Sequence, residues 1–300
     1  MRLIYSSRYE VDIGPHVFPT YKYRLIKERL IREKIAKEED FFEPEPVAFE
    51  ELEIVHTKEY LEDLKNMRWT RRTMFSELPM SKEIIDFYLL GAKGTLIACI
   101  DALEKGLGIH IGGGWHHAFP DRAEGFCYIN DLAFAIKKLK NEGKIKKALV
   151  IDLDVHQGNG TAYFFQDDPE VFTFSMHQED LYPVPKEKSD LDIGLWRGTD
   201  EKTYLEKLGE ALEKIFSENK FDLILYQAGA DPYEKDLLGD LKISINGLKK
   251  RDEIVRRYTL EKGYNIAITL GGGYSAVIED LIEIHVNTIK TFLLWKREKQ

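Results

Sequence analysis

The chain has 300 residues, 43% of them hydrophobic, with a formal net charge of −9 and two cysteines. That length is enough for a sizeable buried core. The acidic balance argues against nucleic acid as a direct ligand, which needs a basic surface to displace phosphate counterions, and Cys99 and Cys127 provide neither a disulfide framework nor a thiolate cluster for structural zinc. No run approaches eighteen uninterrupted apolar residues and the N-terminus has no long apolar stretch before a small-residue cleavage site, so a soluble, cytoplasmic protein without a membrane partner is expected.

In chain order, "RLIYS" (2–6) predicts a strand and 21–37 a helix, followed by a loop over 69–80 and a long helix over 82–105. "GIHIG" (108–112) predicts the next strand and 131–141 the next helix, whose end runs into the basic stretch "KKLKNEGKIKK", read as a solvated helix terminus closed by Gly143. "ALVIDLD" (148–154) and "VFTFSMH" (171–177) predict strands, 177–192 a loop and 201–219 a helix. "DLILYQAG" (222–229) and "NIAITLGGG" (265–273) predict two more strands, interleaved with helices over 248–262 and 276–296. This alternation implies an α/β fold, one domain over residues 1–300, with a mostly parallel central sheet and helices on both faces.

The unusual polar residues sit where the predicted strands end, and in open parallel sheets ligands bind outside the carboxyl ends of the strands. In "VIDLDVHQGNG", side chains two apart on an extended chain point the same way with Cα atoms roughly 7 Å apart. A slight bend therefore lets Asp154 and His156 share an ion with Asp231 from "GADPY". Two carboxylates and an imidazole suit Zn²⁺ or a similar divalent ion and leave a coordination position open for water or substrate. Either aspartate of "DLD" alone could instead cap a helix beginning near Gly160, but burying the whole group without a cation would be costly. In "GGGWHHAFP", His116 and His117 can serve as general base and acid or can be hydrogen-bonded core histidines. Tyr274 of "GGGYS" can pack, or can donate to a developing oxyanion; Phe126 can be core or channel wall.

Taken in order, "GGGWHHA", "GFCYIND", "IDLDVHQGNG", "FSMH", "GADPY" and "GGGY" resemble the motif series of the histone deacetylase superfamily of zinc-dependent deacetylases. The "HQGNG" form and compact length are similar to the class IV branch and bacterial histone deacetylase-like amidohydrolases. The resemblance implies the arginase/deacetylase fold. It implies Asp154, His156 and Asp231 as ligands of one Zn²⁺, with Fe²⁺ the alternative ion, and His116 and His117 as the catalytic pair. Asp152 would be the acid bonded to the first histidine, and Asn159 stands where many members have a second acid. Tyr274 would polarise the amide carbonyl. Gly125 and Phe126 would wall an acyl-lysine tunnel, with Tyr182 opposite, and Asp152, Asp154, His156, Ser175 and Met176 would hold a monovalent cation, usually K⁺. The implied reaction is metal-assisted hydrolysis of acyl-lysine in proteins or of small acylated amines such as acetylpolyamines. The alternatives are a silent scaffold that binds acylated partners and the binuclear manganese chemistry of the arginase group; for the latter, Gly158 occupies a place where another carboxylate would be wanted.

Overall fold

A computed structural model describes residues 2–299. Its eight strands are β1 (Leu3–Ile4), β2 (Phe41–Phe42), β3 (Leu107–His110), β4 (Ala148–Asp152), β5 (Val171–Gln178), β6 (Leu191–Leu195), β7 (Leu223–Gln227) and β8 (Ile266–Thr269). They form one sheet in the order β2-β1-β3-β8-β7-β4-β5-β6, every pair parallel. The helices are α1 (Lys22–Arg32), α2 (Phe49–Leu52), α3 (Lys58–Lys65), α4 (Lys82–Lys105), α5 (Asp131–Asn141), α6 (Asn159–Phe165), α7 (Glu201–Glu218), α8 (Ile245–Tyr258) and α9 (Ile278–Glu298). On one face α4 packs on β3 and β8 with α5 beside it; α1, α9, α8 and α7 form a second contiguous layer in which α9 touches β3.

The central strands β3, β8, β7 and β4 are buried throughout, which accounts for their uninterrupted apolar runs: a parallel strand covered on both faces has no reason to alternate. The edge strand β6 (LDIGL) does alternate, with Asp192 and Gly194 exposed, and its first two residues fall within the expected 177–192 loop. β2 is only two residues long, and neither edge strand is evident from the sequence. The helices α2 and α3 were likewise not expected; α3 is capped by Thr57, whose side chain accepts from the Tyr60 amide.

Several boundaries also move. The strands expected to run to 154, 229 and 273 end at Asp152, Gln227 and Thr269, so the polar residues that follow lie on turns beyond the ladder. The helix expected over 248–262 starts at Ile245, behind the Ser244 cap, and ends at Tyr258 before a separate short 3₁₀ turn.

After β3 the chain crosses to β4, and β8 and β7 later fill the space between them. The carboxyl ends of β3, β8, β7 and β4 thus lie side by side. The turn after β3 is tied to the first residue of α5. The fully buried Asp131 carboxylate accepts from the Gly114 amide at 2.9 Å, the Trp115 amide at 2.7 Å and the Thr95 hydroxyl at 2.5 Å. Replacing Asp131 by Ala strands two buried N–H groups, each costing about 1–3 kcal/mol. The expected outcome is a loss of about 2–5 kcal/mol in urea unfolding; a midpoint within experimental error of the wild type would refute this account of the turn.

Candidate active site

Beyond β4 the chain turns sharply, and the turn is held by its own aspartates. The Asp154 amide donates to Asp152 Oδ1 at 3.2 Å and the His156 amide to Asp154 Oδ1 at 3.0 Å. The residue between them is tied to the turn beyond β7: the Val155 amide donates to Asp231 Oδ1 at 2.9 Å. Asp154, His156 and Asp231 are thereby brought together, all buried, each offering a ligand atom within 4.8 Å of the others; among the described residues they form the one such group. His156 Nδ1 lies 3.1 Å from Asp154 Oδ1 and 3.4 Å from Asp231 Oδ2.

The donor set fits a divalent cation. Asp231 Oδ2 is buried without a hydrogen-bond partner, an arrangement that is costly unless a positive charge answers it. Burial and the adjacent Asp154 push the Asp231 carboxyl up to about 7. Burial opposes charge on His156, but Asp154 and Asp231 outweigh it and push the imidazole up to about 10. The backbone leaves the space open: a Cβ on Gly272 would run into Asp231 Oδ2 and stand 2.7 Å from Asp154 Oδ2, so only glycine permits this approach.

The remaining lone pairs of the trio are directed by neighbours. Asp154 Oδ2 accepts from Gln227 Nε2 at 2.7 Å and from the Gly272 amide at 3.0 Å, while Gln227 Oε1 accepts from the Gly229 amide at 2.8 Å. Beneath the last glycine turn the fully buried Lys22 donates to Gly271 O at 2.9 Å, and burial holds its amine down at about 8 against the attraction of Asp231 and Asp154.

The turn after β3 delivers both histidines to the same place, their ring centroids 4.1 Å apart. His116 Nδ1 bonds Asp152 Oδ2 at 2.6 Å; burial disfavours its charge, but Asp152 and Asp154 prevail and push it up to about 9. His117 Nδ1 bonds Asn159 Oδ1 at 2.6 Å, and burial together with the cationic His116 and His156 holds it well below the ordinary histidine range. Tyr274, half-buried on the turn after β8, is anchored by its amide to Asp236 Oδ2 at 2.7 Å. Burial and the carboxylates of Asp154 and Asp231 raise its phenol well above the ordinary value.

Of these groups His117, His156 and Tyr274 open on one cavity of about 250 Å³, whose other walls are Gly125, Phe126, Leu181, Tyr182, Leu238 and Glu77. Phe126 stands edge-on to Tyr274 with centroids 5.9 Å apart, and Tyr182 edge-on to His117 at 5.1 Å. Gly125 has φ +46° and a Cβ there would lie 2.6 Å from the His117 ring; Phe126 itself adopts φ +61°, a left-handed conformation that a bulky side chain rarely takes. Ser175 lies beside Asp152 in the β4–β5 register, with Met176 next along β5.

Four residues that hold the site went unremarked in the sequence. Gln227, a polar residue closing an apolar strand, and Asp131, inside the "GFCYIND" motif, carried a signal; Lys22 and Asp236 look like any lysine and aspartate at a helix start or in a loop.

A profile described as a histone deacetylase domain matches residues 16–289. The chain is 40% identical over 285 residues to an uncharacterized protein of Picosynechococcus sp., covering 94% of this chain and 95% of that one. It is 32% identical over 299 residues to histone deacetylase 2 of Arabidopsis thaliana, covering 94% and 77%. A crystal structure of an HDAC homolog from Aquifex aeolicus superposes with a TM-score of 0.83 at 27% identity, covering 97% and 83%. An HDAC homolog complexed with SAHA gives 0.82, with the same identity and coverage.

Because a cation must displace the proton that the two carboxylates hold on His156, divalent metal binding is expected to release about one proton per ion near pH 7.5 and to weaken as pH falls. Calorimetry in buffers of different ionisation enthalpy measures this. Asp231→Asn is expected to lower the affinity at least about tenfold, and binding that ignores both buffer and substitution would remove the trio as the ion site.

Proposed function

The chain belongs to the histone deacetylase family, whose members are deacetylase-type hydrolases of acylated lysine, and from that premise we propose that it hydrolyses acyl-lysine side chains of proteins or small acylated amines with one Zn²⁺ held by Asp154, His156 and Asp231. The observation that supports this most directly is that His117, Tyr274 and His156 line a single cavity whose remaining walls are mainly glycine, aromatic and leucine. Such a cavity accepts an aliphatic stem and presents its polar groups to the amide at the end. Bound at the trio, Zn²⁺, or Fe²⁺ in its place, supplies Lewis acidity for the acyl carbonyl and for water.

The chain's own residues divide the proton work. His117 is held neutral by its burial and by the adjacent cationic His116, so it accepts the proton of the attacking water and returns it to the departing amine. His116, held as an imidazolium by Asp152, places positive charge where the carbonyl oxygen becomes negative. The Tyr274 phenol keeps its proton and donates to that oxygen. Acetate, or a longer carboxylate, and the free amine leave. We also propose that Asp152 and Ser175, with Asp154, His156 and Met176, hold K⁺ beneath the site; the juxtaposition of Asp152 and Ser175 across the β4–β5 ladder supports this. No helix of the described residues is long and apolar enough to cross a membrane, and the acidic surface disfavours nucleic acid.

The test is a panel of acetyl- and longer acyl-lysine peptides and acetylpolyamines with the zinc-loaded chain. His117→Ala is expected to lower kcat about 10²–10⁴-fold and Tyr274→Phe about 10²–10³-fold with smaller changes in KM; undiminished turnover in His117→Ala would end the proposal. Asn159→Asp places a carboxylate against His117 and raises its pKa. A stronger base stays protonated to higher pH, so the acidic limb of the kcat profile is expected to move upward; an unmoved limb would show that residue 159 does not tune the base.

A further inference from the structure

Glu124 belongs to neither the trio nor the histidine pair, yet it holds the partner of one histidine and a wall of the cavity. It stands on a short turn whose backbone closes on itself: the Glu124 amide donates to Cys127 O at 3.1 Å and the Cys127 amide to Glu124 O at 2.9 Å. Its side chain is 21% exposed. Oε1 accepts from Asn159 Nδ2 at 2.9 Å and from the Tyr182 hydroxyl at 3.1 Å, and Oε2 from Arg122 Nε at 3.3 Å. The Arg122 guanidinium lies 3.7 Å over the Phe119 ring, which fixes the cation that balances Glu124.

An asparagine beside a histidine is ambivalent, because it can present either its oxygen or its NH₂ to Nδ1. The two orientations select opposite tautomers. With the oxygen toward His117, Nδ1 carries the hydrogen and Nε2 has a free lone pair; with the NH₂ toward it, Nε2 carries the hydrogen and cannot accept another. A carboxylate only accepts, so Glu124 on the far side of Asn159 forces the NH₂ outward and the oxygen inward.

We propose that Glu124 is a positioning residue for the proton-transfer step, fixing Asn159 with its oxygen toward His117 and thereby selecting the tautomer whose Nε2 takes the proton. The bond from Tyr182 to the same oxygen ties this selection to the wall of the substrate cavity. The proposal rests on His117 being the base.

The zinc-loaded chain is assayed with an acetyl-lysine peptide as wild type, E124L, E124Q, N159D and the double variant E124L/N159D. E124L is expected to lower kcat about 10- to 100-fold with KM within about twofold. E124Q, whose carbonyl still accepts from Asn159, recovers most of that loss. In the N159D background, where no amide needs orienting, E124L is expected to cost nothing further, so the two substitutions are strongly non-additive. The ¹⁵N shifts of labelled histidine in the metal-free chain give a readout independent of turnover: His117 changes from the Nδ1–H to the Nε2–H form in E124L and keeps the Nδ1–H form in E124Q. An unchanged tautomer in E124L, or a loss of rate that E124Q does not recover and N159D does not abolish, overturns the proposal. Loss of activity in His117→Ala with no effect of E124L would reject Glu124 alone, whereas full activity in His117→Ala would reject the base on which it rests.

Discussion

Two buried carboxylates, Asp154 and Asp231, are held against each other at the end of the central strands, and the rest of the site is arranged around the repulsion between them. Left to themselves, such groups would protonate or move apart. They do neither freely, because three of their four oxygens are committed to backbone amides and to Gln227, while the fourth, Asp231 Oδ2, has no hydrogen-bond partner. The architecture thus fixes a shortage of positive charge at one point, and a family of metal-dependent hydrolases uses that shortage to hold an ion.

The same electrostatics separate two adjacent histidines into unlike roles. His116 leans on a carboxylate and is driven toward the charged form; His117 leans on an amide and is driven toward the neutral one. Neither direction follows from the dipeptide itself. It follows from which side chain stands behind each ring: the last residue of β4 in one case and the first residue of α6 in the other.

How much of this was legible in the sequence depended on the range of the interaction. The central strands were visible because burial on both faces writes a continuous apolar run, and the polar residues at their ends marked the pocket. The edge strands β2 and β6 were not, since a half-exposed strand of two to five residues carries too little pattern. Asp154 and His156 were expected to converge on extended backbone; they lie on a turn past the end of β4, and what bends it is a hydrogen bond from Val155 to Asp231, 76 residues away. Lys22 was illegible for a similar reason: its helix is ordinary, and only the fold brings its ammonium to Gly271 O, 249 residues distant. Six ordered motifs identified the family, but the neighbours that orient the motif residues were scattered through segments with no motif of their own.

The order of strands in the sheet has a further consequence for when the site comes into being. Asp154, His156 and both histidines of the pair are made early, whereas Asp231 and Tyr274 arrive with β7 and β8, which occupy the gap between β3 and β4. A nascent chain on the ribosome that has not yet reached β7 therefore has two half-sheets with bare inner edges and only two members of the buried trio. The trio is complete once residue 231 is made, whereas the sheet closes only when β8 takes its place between β3 and β7, so the carboxylates are gathered before the turn that carries Tyr274 exists.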